Sequence, residues 1–396
     1  MQGYQSFSEV GHNHQGAMNR IEEMIKRLCP KGVESVKLGD YIVLYTGEQL
    51  NKANMFKIGS YPVINGGVSA SGFVEAYNEQ ANTITISQGG ASAGYVNFIK
   101  VPFWAGAHCF VIKPNSDNLN KRFLYHYIKG QEFFIQQCQQ GAGIPSVNSD
   151  KIKKLLIPLP PLSIQQEIVS VLDSFTTLID KMKKEVEMRK KQMECYRERL
   201  ICQQNYPLKA IGEIGTLVRG SGLQKKDFID SGVGCIHYGQ IYTRLNSCCH
   251  KTLTYVSASL AEKLTKVHPG NLVIACTSEN VEDLCKSVVW LGDEDVVTGG
   301  HACVFRHKEN PKYISYYFQT ADFAFQKAQY AYGAKVVDVR IEKLSLIKVP
   351  LPPLSKQREI ARTLDIFEEY IQRLEKLISL RQKQYEYYRE KLLTFE

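Results

Sequence analysis

Between Ile168 and Leu200, side chains of one face recur in steps of four and three: Ile168, Leu172, Phe175, Ile179, Met182, Val186, Arg189, Met193, Tyr196 and Leu200. The same steps recur at Ile360, Leu364, Phe367, Ile371, Leu374, Ile378, Arg381, Tyr385, Tyr388 and Leu392. Alternation of four and three is the heptad seam of a coiled coil and predicts two long helices. Each covers about 38 residues, roughly 57 Å at 1.5 Å per residue. Arg189 and Arg381 interrupt the seam at the same place. A polar seam residue sets register, pairs with a neighbour such as Glu194 or Glu386, or faces a third partner; the plainer reading is that it snorkels out of the seam.

Each helix follows a proline-punctuated lead-in, "IPLPPLSIQQEI" from Ile157 and "VPLPPLSKQREI" from Val349. Pro158 to Leu200 aligns with Pro350 to Leu392 without a gap, roughly half of the positions being identical, which marks an internal repeat. The prolines forbid helix and bias the preceding residues to extended backbone, so PLPPL reads as a stiff connector. Ser163 and Ser355 are the expected N-caps, with Glu167 and Glu359 favouring the helix dipole. An antiparallel pair of helices puts the end of the first, near Leu200, beside the start of the second, near Pro350. A compact domain can then bridge them.

From Leu38 to Leu156 the pattern changes to short strands and turns: "YPVING", "NTITIS" and "HCFVIK" are extended, and "NKRFLYHYIKGQEFFIQQCQ" is an amphipathic helix through Phe123, Tyr127 and Phe134. The later segment repeats that order with "GCIHYG", "NLVIACT", "HACVFRH" and the helical "PKYISYYFQTADFAFQKAQ". "VKLGD" at Val36–Asp40 resembles "KAIGE" at Lys209–Glu213, and Gly141 and Ala142 align with Gly333 and Ala334. The expected organisation is a leader or tag without structure over 1–17, a helical segment over 18–32, a domain over 33–157, a long helix over 158–205, a second domain over 206–349 and a second long helix over 350–396. The fold class is α+β, with two α/β domains separated by two antiparallel coiled-coil helices in a circular, pseudo-twofold order.

Composition narrows the function. The 396 residues suffice for two domains, and a hydrophobic content of 44% with 22% charged residues is that of a soluble globular chain without a membrane span. Eleven cysteines form no CxxC pair, which points to reduced thiols in the cytoplasm rather than disulfides or structural zinc. A net charge of +9 makes a polyanionic partner plausible, although surface lysine and arginine alone produce such an excess. No phosphate-binding GxxxxGK[ST], no HExxH, no amino-methyltransferase motif and no nucleotide-cofactor glycine turn occurs. The acidic and basic "VEDLC" with Lys286 reads as a solvated loop. His301 in "TGGHACVF" lacks an evident nucleophile beside it.

The doubled PLPPL connectors, each closing a domain and opening a heptad helix, together with "RLCPKGVESVKLGD" near the start, resemble the specificity subunit of a type I restriction-modification system. The resemblance covers about Met18 to Glu396. It implies that each domain is a target recognition domain contacting one half of a bipartite duplex DNA sequence. It implies too that the helices separate the readers and dock modification subunits, two of them, with two restriction subunits joining the complex. S-adenosylmethionine, ATP and Mg would sit on those partners, and this chain would hold no cofactor, no metal and no catalytic residue.

Polar residues in glycine-bearing loops are the candidate base readers, since arginine or lysine matches guanine and asparagine or glutamine matches adenine in the major groove. In the first domain these are Gln49, Asn51, Lys52, Asn65, Ser87, Gln88, Ser92, Tyr95 and Asn148. In the second they are Arg219, Gln224, Lys225, His237, Tyr238, Gln240, Thr243, Arg244, Ser278, Asn280, His301 and Lys335. Seam and partner docking falls to Ile168, Leu172, Phe175, Arg189, Ile360, Leu364, Phe367 and Arg381. Two other readings are a coiled-coil interaction protein with ligand-binding end domains, and a DNA enzyme with a diverged site.

Overall fold

The computed structural model describes residues 5–139 and 145–395. The chain divides into two compact units, Met1–Lys183 with Lys376–Glu396, and Lys184–Glu375. Each long helix therefore contributes one part to each unit.

In the first unit, a helix spans Gln5–Leu28 and so begins well inside the segment expected to lack structure. The segment contains no proline, and a glycine in a helix costs only about 1 kcal/mol, so nothing local forbids the extension. Met1–Tyr4 lie outside the described residues. An antiparallel sheet follows, in the order Ile42–Thr46, Cys109–Pro114, Thr83–Ser87, Val96–Ile99. A smaller mixed sheet places Tyr61–Ile64 between Gly72–Val74 and Trp104–Ala105. The predicted helix after Asn120 is two, Lys121–Gly130 and Glu132–Gln137, broken at Gln131. The break rotates the later turn: Ile135 is buried and Phe134, expected on the apolar face, is exposed.

The second unit repeats this plan. Gly215–Arg219, Ala302–His307, Leu272–Ala275, Ser287–Trp290 and Cys248–Cys249 form its larger sheet. Val233–Ile236 lies in a four-stranded sheet, and the chain then turns into a helix at Tyr238–Thr243 capped by His237, so "GCIHYG" is extended only in its first part. Two short helices, Pro311–Tyr317 and Ala321–Ala328, replace the single one expected.

The connectors are β-structure before they become helix. Leu156–Pro158 pairs antiparallel with Ser35–Lys37, Val36 facing Ile157, and Lys348–Pro350 pairs with Leu208–Ala210, Lys209 facing Val349. The likeness of "VKLGD" to "KAIGE" thus has a physical cause: each segment ends the opening strand of a two-stranded ribbon with the domain's exit and then turns into a short helix, Leu38–Asp40 or Ile211–Ile214.

The helices run Leu162–Ile201 and Leu354–Leu393, 40 residues each. They start one residue ahead of the expected caps, leaving Ser163 and Ser355 inside the first turn. Proline fixes φ near −65°, already helical, so the turn forms around Pro161 and Pro353, whose carbonyls accept from Gln165 and Gln357. In the second unit Tyr196 packs on Phe367 with centroids 5.2 Å apart, and Lys190 pairs with Glu375 at 2.8 Å. Earlier positions of one helix meet later positions of the other, so the pair is antiparallel. In the first unit Phe175 stacks on Tyr388 at 5.3 Å. Arg189 bonds Glu185 at 2.8 Å and Gln192 at 2.7 Å rather than Glu194, and lies 5.5 Å from the Tyr370 ring. Arg381 donates to Gln384 at 2.7 Å.

The seam packs on the domains as well as on its partner helix. Ile168, Leu172 and Phe175 share one buried core with Phe123, Leu124 and Ile128. Ile360 and Leu364 share another with Tyr313, Tyr317 and Phe323.

Candidate nucleic-acid interface

In both domains the sheet register brings three chain segments to one end: the close of the first long strand, the loop after the central strand, and the exit segment. In the first domain these are Thr46, opposite Phe110, and Gly89, bridged to Ser146. In the second they are Arg219, opposite Cys303, and Thr277, paired with Asp338. The glycines that follow each strand hold the chains in contact. A Cβ on Gly47 would stand 2.2 Å from the Ala105 carbonyl oxygen, and one on Gly220 would stand 2.1 Å from that of Gly299.

The second domain fills this end with polar and aromatic groups. Arg219 donates to Asp338 through Nη1 to Oδ1 at 3.2 Å and through Nη2 to Oδ2 at 2.8 Å, and Nη1 also reaches the Val339 carbonyl at 3.3 Å. Thr277 donates to the same carboxylate at 2.9 Å. Burial pushes the Asp338 carboxyl up, and the bonds from Arg219 and Thr277 outweigh it, leaving the group below the ordinary carboxylate range. His301 is exposed, with Nδ1 3.3 Å from Thr277 Oγ1. Tyr238 lies between His237 and His301, 4.6 and 4.8 Å away by ring centroid. Burial, then the nearby Lys225 ammonium, lowers the His237 pKa.

The candidate readers divide by what their side chains already bind. Gln49, Asn51, Lys52, Gln224, Lys225, Arg244 and Lys335 are exposed. Ser87 is buried and bonds the Gly66 carbonyl, and Asn65 accepts from the His108 amide at 3.2 Å, which brings both to the loop holding Gln88. Asn148 caps a short helix at the Asp150 amide, 2.8 Å away. Tyr95 lies under the Lys129 ammonium, 4.4 Å from its ring centre, with half-buried Ser92 three residues before it. Gln240 is buried, donating to Thr254 at 3.0 Å and accepting from the His237 amide at 3.1 Å. Thr243 donates to the Gly239 carbonyl, Asn280 bonds Asp283, and Ser278 is buried beside Thr277. Gly141 and Ala142 lie outside the described residues.

Asp338, Thr277, Tyr332 and Arg340 belong to this end and were not among the sequence candidates. Tyr332 donates to Asp338 at 3.4 Å, and the Arg340 guanidinium lies 5.3 Å from the Tyr332 ring centre. The available signal was divergence inside the aligned exit segments, where Asp338 stands over Ser146. The "VEDLC" loop is packed rather than wholly solvated: Lys286 pairs with Asp283 at 2.7 Å, but Leu284 and Cys285 are buried and the Lys327 ammonium donates to the Glu282 and Leu284 carbonyls. Among the described residues no group of three or more His, Cys, Asp or Glu is placed to hold a metal ion, and no helix is long and apolar enough to cross a membrane.

The type I restriction modification DNA specificity domain matches the chain twice, over residues 30–188 and 204–381. A Haemophilus influenzae protein described as a putative type I restriction enzyme specificity subunit is 27% identical over 82% of this chain and 85% of its own length. The type I restriction enzyme MjaVIII specificity subunit of Methanocaldococcus jannaschii is 22% identical over 89% of this chain and 90% of its own. Among solved structures, the specificity subunit of a type I restriction-modification system from M. genitalium shares the fold, with a TM-score of 0.59 at 17% identity over 91% of this chain and 96% of that one.

Proposed function

The chain belongs to the type I restriction-modification DNA specificity family, and we propose that each of its two domains reads one half of a bipartite duplex target. The domains over 33–157 and 206–349 are the readers. The paired helices set the spacer between half-sites and dock two modification subunits, with two restriction subunits completing the complex in the cytoplasm. S-adenosylmethionine, ATP and Mg act on those partners, and this chain contributes recognition without a catalytic group.

One observation carries this reading. The same scaffold is built twice, ribbon, sheets and helix start alike, while the three segments meeting at one end of each domain carry different chemistry: Thr46, Gly89 and Ser146 in one, Arg219, Thr277 and Asp338 in the other. A constant frame with a variable polar end is what two readers of different sequences need. Exposed Lys52, Lys225 and Lys335 supply phosphate contacts that fix orientation without selecting bases.

The deciding experiment maps methylated bases in the source genome with and without this gene. Loss of one bipartite adenine-methylation motif is the expected result. Replacing residues 33–157 with those of another family member should change one half of that motif and leave the other intact. A change in both halves would overturn the independent-reader assignment, and DNA modification or cleavage by this chain alone would overturn its non-catalytic role.

A further inference from the structure

We propose that Arg219 reads a guanine in the half-site of the second domain and that Asp338 is the residue that positions it; this rests on the reader function above. Arginine presents two different forks of parallel N–H groups, one across its two terminal nitrogens and one along the Nε and Nη2 edge. Asp338 occupies the first, Oδ1 on Nη1 and Oδ2 on Nη2. The second fork, Nε–H with the remaining Nη2–H, makes no hydrogen bond among the described residues. Two parallel donors on a planar group match the N7 and O6 acceptors that guanine alone presents in the major groove.

The arginine is held from several sides. It closes strand Gly215–Arg219, its exit direction is fixed by the packing of Gly220 on Gly299, and Asp338 is itself held by the Thr277 hydroxyl and by strand pairing to Thr277. Its side chain remains 36% exposed. Rotamer freedom is thus removed before any ligand arrives, which reduces the ordering cost of binding. Exposed His301, Lys335 and Arg340 share this end of the domain. The first domain has Thr46, Gly89 and Ser146 at the matching register positions, so this device is confined to one half-site.

A purely structural ion pair between strands would have the same distances, so the test reads base identity. The motif is first obtained from the methylation map, and exchange of residues 33–157 shows which half belongs to the second domain. The complex assembled with its modification subunits is then titrated with duplexes that differ from the motif by single base pairs, for the wild type, Arg219→Lys, Arg219→Ala and Asp338→Asn.

The wild type is expected to prefer one guanine in the second domain's half by about 10- to 100-fold, the discrimination of a bidentate pair. Arg219→Lys keeps the charge and its attraction to Asp338 but has no fork, and should lose that preference while every other position keeps its own. Asp338→Asn should weaken the same preference partly. If Arg219→Ala does not fold, Arg219→Lys decides. Retention of all single-base preferences by Arg219→Lys would overturn the proposal, as would a loss falling on another base or on the other half-site. A wild-type complex without any bipartite motif would instead overturn the reader function itself.

Discussion

Gln165 and Gln357 share two bonds at the start of the two long helices, one to the N-cap amide of a domain helix and one to a carbonyl of the proline connector. Gln165 accepts from the Asn120 amide at 2.8 Å and donates to the carbonyls of Asn118 and Pro160, each at 2.8 Å. Gln357 accepts from the Asn310 amide at 2.9 Å and donates to the Glu309 carboxylate at 2.7 Å and the Pro352 carbonyl at 2.8 Å. Both are fully buried. Each ties three things together: the helix start, the proline connector, and the N-cap of the domain helix that packs against it.

Removing either glutamine strands the polar groups it bonds. Gln165→Ala and Gln357→Ala are each expected to destabilise the unit concerned by about 2 kcal/mol or more. Urea unfolding checks this through a lowered midpoint. A change below about 0.5 kcal/mol would mean that water replaces the lost bonds.

Stability should fall on acidification through a buried histidine in the first unit. His126 Nε2 lies 2.8 Å from Asp173 Oδ1, its Nδ1 lies 2.9 Å from the Tyr385 hydroxyl, and Arg122 bonds the same carboxylate. Burial lowers the His126 pKa against the opposing pull of Asp173. Burial raises that of Asp173, but the bonds from His126 and Arg122 carry it down to about 2. An unfolded His126 therefore takes up its proton at about pH 6.5, and the folded one only at lower pH. The unfolded state binds more protons, so stability declines as pH falls from about 6.5. The Asp173 contribution is intact above the ordinary carboxylate value of 3.8 and lost as pH falls toward 2. His126→Gln should flatten the decline of the melting temperature between about pH 6.5 and 4, and an unchanged slope would count against the assignment.

Two glycines should resist even a methyl group. A Cβ at Gly47 or Gly220 would meet backbone at 2.2 and 2.1 Å, so Gly47→Ala and Gly220→Ala must move a strand end. Each is expected to cost about 1–3 kcal/mol. Gly300, in the same loop region as Gly299, has its nearest neighbour at 3.6 Å, and Gly300→Ala should stay within about 0.5 kcal/mol. Thermal unfolding of the three variants gives the comparison.

Phosphate contacts should show in the salt dependence of DNA binding. Lys335 and Lys225 are exposed on the second domain. Lys335→Ala and Lys225→Ala are expected to weaken binding of the assembled complex about equally on all sequences and to reduce the slope of log K against log salt by about 1 each. A change in base preference instead would make either lysine a reader.

Much of the frame was legible in the chain, because it depends on short-range stereochemistry. The four-three spacing produced the long helices, and proline's fixed φ and missing N–H produced the stiff connectors. Where the structure departs from the pattern, the cause lies in three dimensions. The long helices begin one residue ahead of Ser163 and Ser355 because the first turn forms around Pro161 and Pro353, the domain helix breaks at Gln131, and the seam residues Ile168 and Leu172 belong to a core shared with the domain helix. Gln165 and Gln357 could have been found, since a glutamine recurs at the same offset after PLPPL in each copy of the repeat.

Sequence by itself determined that this chain is a repeat of domain and helix, and what kind of backbone each stretch adopts. Only the tertiary structure decided which polar residues meet. Arg219, Thr277 and Asp338 stand far apart in the chain and are joined by strand register, a cooperative outcome of packing whole sheets that no local pattern encodes. Packing likewise buries Ser87 in the first domain and Gln240 in the second in internal bonds, and leaves one edge of Arg219 open. A polar loop residue becomes a reader or a strut according to which neighbours that packing gives it.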